Sequence, residues 1–141
     1  MQRTNKDVAE FLASLDGTQG DDMRQLDDLI SGRMPGQPRF LYEGVFWSGS
    51  EQQIVGYGVM DYENRSGVMV EWFLVGFAAQ KDHISIYVNA VEDGQYLLGK
   101  YEGKLGKAKL GSASIAFKTL ADLDLDNLLE MVSRASELNA S

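Results

Sequence analysis

Apolar residues fall at helical spacing near both ends of the chain and at alternating spacing through its middle. Val8, Phe11, Leu12 and Leu15 recur at i, i+3, i+4 and i+7, the stripe of one helical face. Thr4 is the expected N-cap of that helix, with Asp7 in its first turn, and Asp16-Gly17 ends it. A second helix is expected from Gln19 to Ser31, with Met23, Leu26, Leu29 and Ile30 turned inward and its acids mostly on the other side. Gly32 and the PGQP stretch at 35–38 close this helical portion. The last helix has the clearest start. Asp124 is its N-cap, Leu123 and Leu128 form a hydrophobic staple, and Leu125, Leu128, Leu129 and Val132 give the stripe.

The middle of the chain is β. Gln53–Tyr62, Val68–Ala78 and His83–Asn89 are rich in β-branched and aromatic residues, with ENRSG and AQKD as the turns between them. Phe40–Trp47 is a further edge strand, interrupted by Glu43 and Gly44, and Ser114–Thr119 is the last strand. DGQYLLGKYEG, between them, suits a short helix carrying Leu97, Leu98 and Tyr101. No repeat or linker divides the chain. Residues 1–141 are therefore expected to form one α+β domain: an antiparallel sheet of about five strands with two N-terminal helices and a C-terminal helix packed on one face.

Closing the hairpins around their turns sets Tyr57 opposite Phe73, Val55 opposite Val75, and Val75 opposite Ile86. One face then collects Val55, Tyr57, Val59, Phe73, Val75, Phe77, Ile84, Ile86 and Val88, joined by Ile115 and Phe117, as a core for the helices. The other face collects small residues, Gly56, Gly58, Gly76, Ser85, Ser114 and Ala116, beside Trp72, Leu74 and Tyr87. Glycine weakens a strand, so several on one face mean that something lies close to the backbone. Either a ligand or partner enters a shallow trough walled by Trp72 and Tyr87, or those two aromatic side chains fold over the glycines themselves, or the glycines permit strong twist.

Composition narrows the chemistry. A net charge of −8 opposes nonspecific binding to nucleic acid and to anionic membranes. The chain has no cysteine, which removes disulfides and thiolate chemistry and suits a reducing cytoplasm. No signal-like apolar run or long apolar span is present, so a soluble cytoplasmic protein is expected. His83 is the single histidine, which excludes clustered zinc ligands and leaves little for general-base catalysis. An enzyme is thus the least supported class.

Five of the seven lysines lie at or after Lys100, in and beyond the stretch KYEGKLGKAKLG. It contains no G-x-x-x-x-G-K-[ST] window, so it is not a phosphate loop. Lys104, Lys107 and Lys109 could still draw a small anion or an acidic partner toward the small-residue face; the alternative is a helix end and a solvated loop, with Gly103 or Gly106 as a left-handed cap. The acids Asp21, Asp22, Asp27 and Asp28 could hold a hard cation, or could simply be a solvated helix face.

Taken together, VAEFLASL, IVGYG, YENRSG, WFLVGFAAQKDHISIYV and LLGKYEGKLGKAKLGSASIAFKTLADLDLDNLLEMV resemble the YdhG-like domains, a bacterial family of unknown function. The resemblance spans most of the chain. It implies a small α+β fold with helices on an antiparallel sheet, comparable to the frataxin arrangement, and some members are described as iron chaperones. Gln80-Lys81 and Gly111-Ser112 depart from the family's Arg-Lys and Gly-Lys at those places. Two functional readings follow. The first is a non-enzymatic binding domain holding a small ligand or protein at Gly56, Gly58, Trp72, Leu74, Gly76 and Tyr87, with Lys104, Lys107 and Lys109 nearby. The alternative is a frataxin-like iron carrier using Asp21, Asp22, Asp27 and Asp28. Homo-oligomerisation is open in both.

Overall fold

The computed structural model describes residues 2–45 and 51–140. In chain order the elements are β1 (Gln2–Arg3), α1 (Val8–Ala13), α2 (Gly17–Arg33), β2 (Arg39–Val45), β3 (Glu51–Tyr57), β4 (Met60–Glu63), β5 (Met69–Trp72) and β6 (Val75–Ala79). There follow β7 (Ile84–Val88), β8 (Val91–Glu92), β9 (Gln95–Tyr96), a 3-10 helix at Leu97–Tyr101, β10 (Lys109–Leu110), β11 (Ser114–Phe117), a second 3-10 turn at Leu120–Asp122, and α3 (Leu125–Ala140).

Seven strands make one antiparallel sheet in the order β1-β2-β3-β6-β7-β11-β10, and β4-β5 and β8-β9 are separate two-stranded ribbons. The sheet exceeds the five strands expected because both its edges, β1 and β10, are two-residue strands too short to show any alternation. β1 also turns β2 from an edge into an inner strand. The sequence extends that strand to Trp47; residues 46 and 47 lie outside the described residues.

All three helices pack on one face. Val8 and Leu12 of α1, Met23, Leu26 and Ile30 of α2, and Leu128, Met131 and Val132 of α3 join Val55, Tyr57, Val75, Phe77, Ile86 and Phe117 of the sheet in one buried cluster. Asp124 caps α3 as its residue type demands: its Oδ1 accepts from Asn127 N at 3.1 Å, and Leu123 and Leu128 are both buried. At α1 the cap is Asp7, whose Oδ1 accepts from Glu10 N at 3.0 Å. Thr4 instead ties the chain to β2, with both N and Oγ1 donating to Leu41 O.

The two long strands expected at 53–62 and 68–78 each break. Gly58 adopts φ 76°, which ends β3, and β5 gives way to β6 at Phe73-Leu74. The outer half of the hairpin therefore leaves the sheet as the β4-β5 ribbon. At the break Phe73 and Leu74 exchange faces: Leu74 enters the helix-covered core, and Phe73 joins Tyr42, Ile54 and Ala78 on the opposite side. Val59, expected in the core, sits in the break and belongs to neither cluster.

The register differs by two residues from the one drawn from the turns. Tyr57 pairs with Val75, Val55 with Phe77, and Val75 with Val88. Asn64 sets the first turn, its Oδ1 accepting from Ser66 N and Val68 N. Gln80 N donates to His83 O to close the second at Lys81-Asp82. A shift of two keeps the paired residues of β3, β6 and β7 on their expected faces, so Val75 remains fully buried in the core. The expected helix at 93–103 begins one turn late, because Asp93-Gly94, both with positive φ, close the β8-β9 ribbon first.

Candidate functional site

Gly56 and Gly76 pair directly on the face away from the helices. A methyl group at Gly56 would stand 2.6 Å from Phe73 Cβ and 2.7 Å from Tyr42 Cε1, and one at Gly76 would stand 2.6 Å from Phe73 Cε1. The glycines thus seat an aromatic side chain of the same molecule. The trough is filled, and what fills it is Phe73, aided by Tyr42, not Trp72 and Tyr87 folding inward. Gly58 is a strand-end turn, and Leu74 lies in the main core, so neither belongs to an open face.

Phe73 is the hub of an aromatic layer. Its ring centroid lies 4.5 Å from that of Trp72, 5.3 Å from Tyr42 and 6.2 Å from Tyr87. The β4-β5 ribbon holds Trp72 over this layer, with Glu71 on its other side paired to Arg3 at 2.6 Å. The Tyr42 hydroxyl is buried with no hydrogen-bond partner among the described residues. Burial, then the nearby Glu71 charge, pushes its pKa up to about 12 against the opposing pull of Arg3. Burial also raises the Tyr87 pKa, with hydrogen bonds from the Ser85 and Gln80 side chains acting the other way. Both phenols are neutral at ordinary pH.

Beside this layer an open cleft of about 540 Å³ remains. Met60 and Trp72 line it from β4-β5, Val91 and Tyr96 from β8-β9, and the turn at 112–114 closes it. Phe73, Tyr87 and Asn89 lie between. Asn89 Nδ2 donates to Phe73 O at 2.9 Å, which fixes the amide and leaves its oxygen as the acceptor. Trp72 and Tyr87, the walls expected from the sequence, thus line a real cleft, but one beside the glycines. Val91 and Tyr96 were missed with the β8-β9 ribbon, and the Asp-Gly dipeptide was the signal that could have found them; Asn89 ends an expected strand but was not expected as a site residue.

The second ribbon is fastened from behind. Lys100 Nζ donates to Glu92 Oε1 and Asp93 Oδ2, each at 3.0 Å, and Arg134 of α3 bonds both Glu92 and, at 3.1 Å, Glu137. Hydrogen bonds from Arg134 and then Lys100 lower the Glu92 pKa. Lys100 is therefore structural. Lys104, Lys107 and Lys109 are exposed and none lines the cleft. Lys104 and Lys107 lie in the loop that follows the 3-10 helix and Lys109 in the edge strand β10, with Gly103 at φ 79° just past the helix.

The four helix acids do not converge. Asp21 pairs with Arg24 at 2.7 Å, and Asp22 Oδ2 accepts from Leu120 N at 3.0 Å. Asp27 is buried: Tyr57 donates to its Oδ1 and Arg39 Nη1 to its Oδ2 at 2.5 Å. Asp28 is exposed on the far side. Among the described residues no group of three or more His, Cys, Asp or Glu side chains could hold a metal ion. A hollow of about 590 Å³ beside Phe11 and Leu15 is walled largely by Glu43, Glu51, Gln52 and Gln53. Its glutamines are already bonded, Gln53 to Glu43 and Gln80 to Gln52, each at 2.7 Å.

No protein-family model, curated protein or solved structure matches the chain. Among the described residues, no helix is long and apolar enough to cross a membrane.

Proposed function

We propose that the chain is a small cytosolic binding domain, not an enzyme, whose ligand occupies the cleft between the β4-β5 and β8-β9 ribbons. The observation that carries this reading is the cleft of about 540 Å³ with Trp72 and Tyr87 in its walls. That volume falls in the range of about 300–1,000 Å³ typical of small-molecule sites. Among the described residues, the lining offers hydroxyls and one side-chain amide, without a carboxylate, imidazole or amine to act as a base, which favours binding over chemistry. A sheet carrying three helices on one face supports keeping the YdhG-like likeness as part of this proposal. No observation favours the iron-carrier alternative.

Backbone and indole chemical shifts, followed while a fragment library is added, test the reading. Changes are expected at the Trp72 indole N–H, Asn89, Tyr96 and residues 112–114. Shifts that cluster on α2 or on the lysine loop instead would sink it.

A further inference from the structure

Both ribbons that border the cleft sort their side chains by charge. Met60 pairs with Trp72 on β4-β5, and both line the cleft; the next pair, Asp61 and Glu71, lies on the other face, where Glu71 meets Arg3. Val91 pairs with Tyr96 on β8-β9 and both line the cleft; the next pair, Glu92 and Gln95, lies on the other face, where Glu92 meets Lys100 and Arg134. Strand alternation puts neighbouring pairs on opposite faces, so each ribbon carries its acids away from the cleft. The result is a lining that, among the described residues, has no Asp, Glu, Lys, Arg or His, in a chain that is 24% charged.

Such a lining selects. A charged ligand would lose water and find no counter-ion, whereas a flat neutral ring would gain contact with the aromatic layer. Resting on the binding-domain reading, we propose that the cleft takes an uncharged, flat aromatic molecule of about two or three rings, with a polar group that donates to Asn89 or bonds the hydroxyls of the 112–114 turn. The two sources of selectivity are distinct: ring stacking on Trp72 and Tyr87 sets shape, and the absent counter-ion sets charge. An extended peptide fits less well, because both ribbons and the turn border the cleft and limit its reach.

The test uses the full chain and the neutral dye Nile red, displaced by three naphthalenes of one shape: 2-naphthamide, the 2-naphthoate anion and the 2-naphthylmethylammonium cation. Near neutral pH the amide is expected to displace the dye at concentrations about tenfold lower than either ion. Val91→Glu places a carboxylate in the lining at an exposed position, so the fold should be kept, as an unchanged Tm would show. That variant is expected to weaken the amide and strengthen the cation. Ions that match the amide within twofold, or a Val91→Glu variant with the native preference, overturn the charge selectivity while leaving the site. Failure of both Nile red and the amide to bind at millimolar concentration removes the site as well.

Discussion

The ring of Phe73 lies so close to Gly76 that a methyl group there would stand 2.6 Å from Phe73 Cε1. The strand break at Phe73-Leu74 turns that ring onto the glycine pair, and the glycines admit it. Gly76→Ala is expected to cost about 1–3 kcal/mol, as overpacking of a dense layer does. Urea midpoints at unchanged slope measure the loss. Combining it with Phe73→Leu should cost less than the sum of the two single changes, since the smaller side chain gives the methyl room. Strict additivity would show that the ring is not what the methyl meets.

The sequence carries the core faces because alternation survives a slip of two residues, and Val55, Tyr57, Val75, Phe77, Ile86 and Phe117 are all buried on the helix side. It does not carry the exchange of Phe73 and Leu74. That depends on Gly58 entering the left-handed region, which a glycine permits but does not require. β1 and β10 are legible only through their partners. Only part of the cleft was visible, since Trp72 and Tyr87 stand out as large residues beside small ones. The Val91 and Tyr96 side depends on the Asp93-Gly94 turn, whose neighbouring leucines, Leu97 and Leu98, suggested a helix instead. Asp27 lies four residues after Met23 on the apolar stripe of α2, so its burial was open to inference from spacing.

Asp27 joins α2 to the sheet through Tyr57 and Arg39. Burial, then the Asp27 charge, raises the Tyr57 pKa, so its hydroxyl donates throughout the ordinary pH range. Asp27→Ala is expected to cost about 3 kcal/mol, the low end for a broken buried pair, because Arg39 still reaches water. Asp28→Ala, one residue on and exposed, should change the urea midpoint little. Equal losses at both positions would rule out a special role for the buried pair.

The β8-β9 ribbon should respond to pH and salt through Glu92. Arg134 and Lys100 hold its folded pKa below the unfolded value. The ion pairs are therefore fully present above the ordinary carboxylate range and are lost as pH falls through the lowered folded value. These pairs sit at the surface, so added salt should weaken them too. Corrected for the slower intrinsic exchange in acid, the protection of the amides between Val91 and Tyr96 is expected to fall once pH drops below the ordinary carboxylate range, while the β3-β6-β7 amides stay protected. Glu92→Gln should give the lowered protection already at neutral pH and remove its acid dependence.

Gly106 shows the constraint on the loop that follows the first 3-10 helix. It adopts φ 87°, and a methyl group there would stand 2.5 Å from Asp122 O and 2.7 Å from Asp124 N. The approach is close because Lys107 N donates to Asp122 O and Asp124 N donates to Leu105 O, lacing the loop to the start of α3. Gly94 has a similar φ of 79°, but nothing lies within 4 Å of where its methyl would be. Gly94→Ala should therefore carry only the left-handed strain, about 1–2 kcal/mol. Gly106→Ala adds a backbone clash that no side-chain rotation relieves, so its Tm should fall further than that of Gly94→Ala. Changing Lys104, Lys107 and Lys109 together to glutamine should leave Tm nearly unchanged, since their side chains are exposed and only the backbone of this segment is laced. A triple variant as unstable as Gly106→Ala would place the stabilising contacts in the lysine side chains after all.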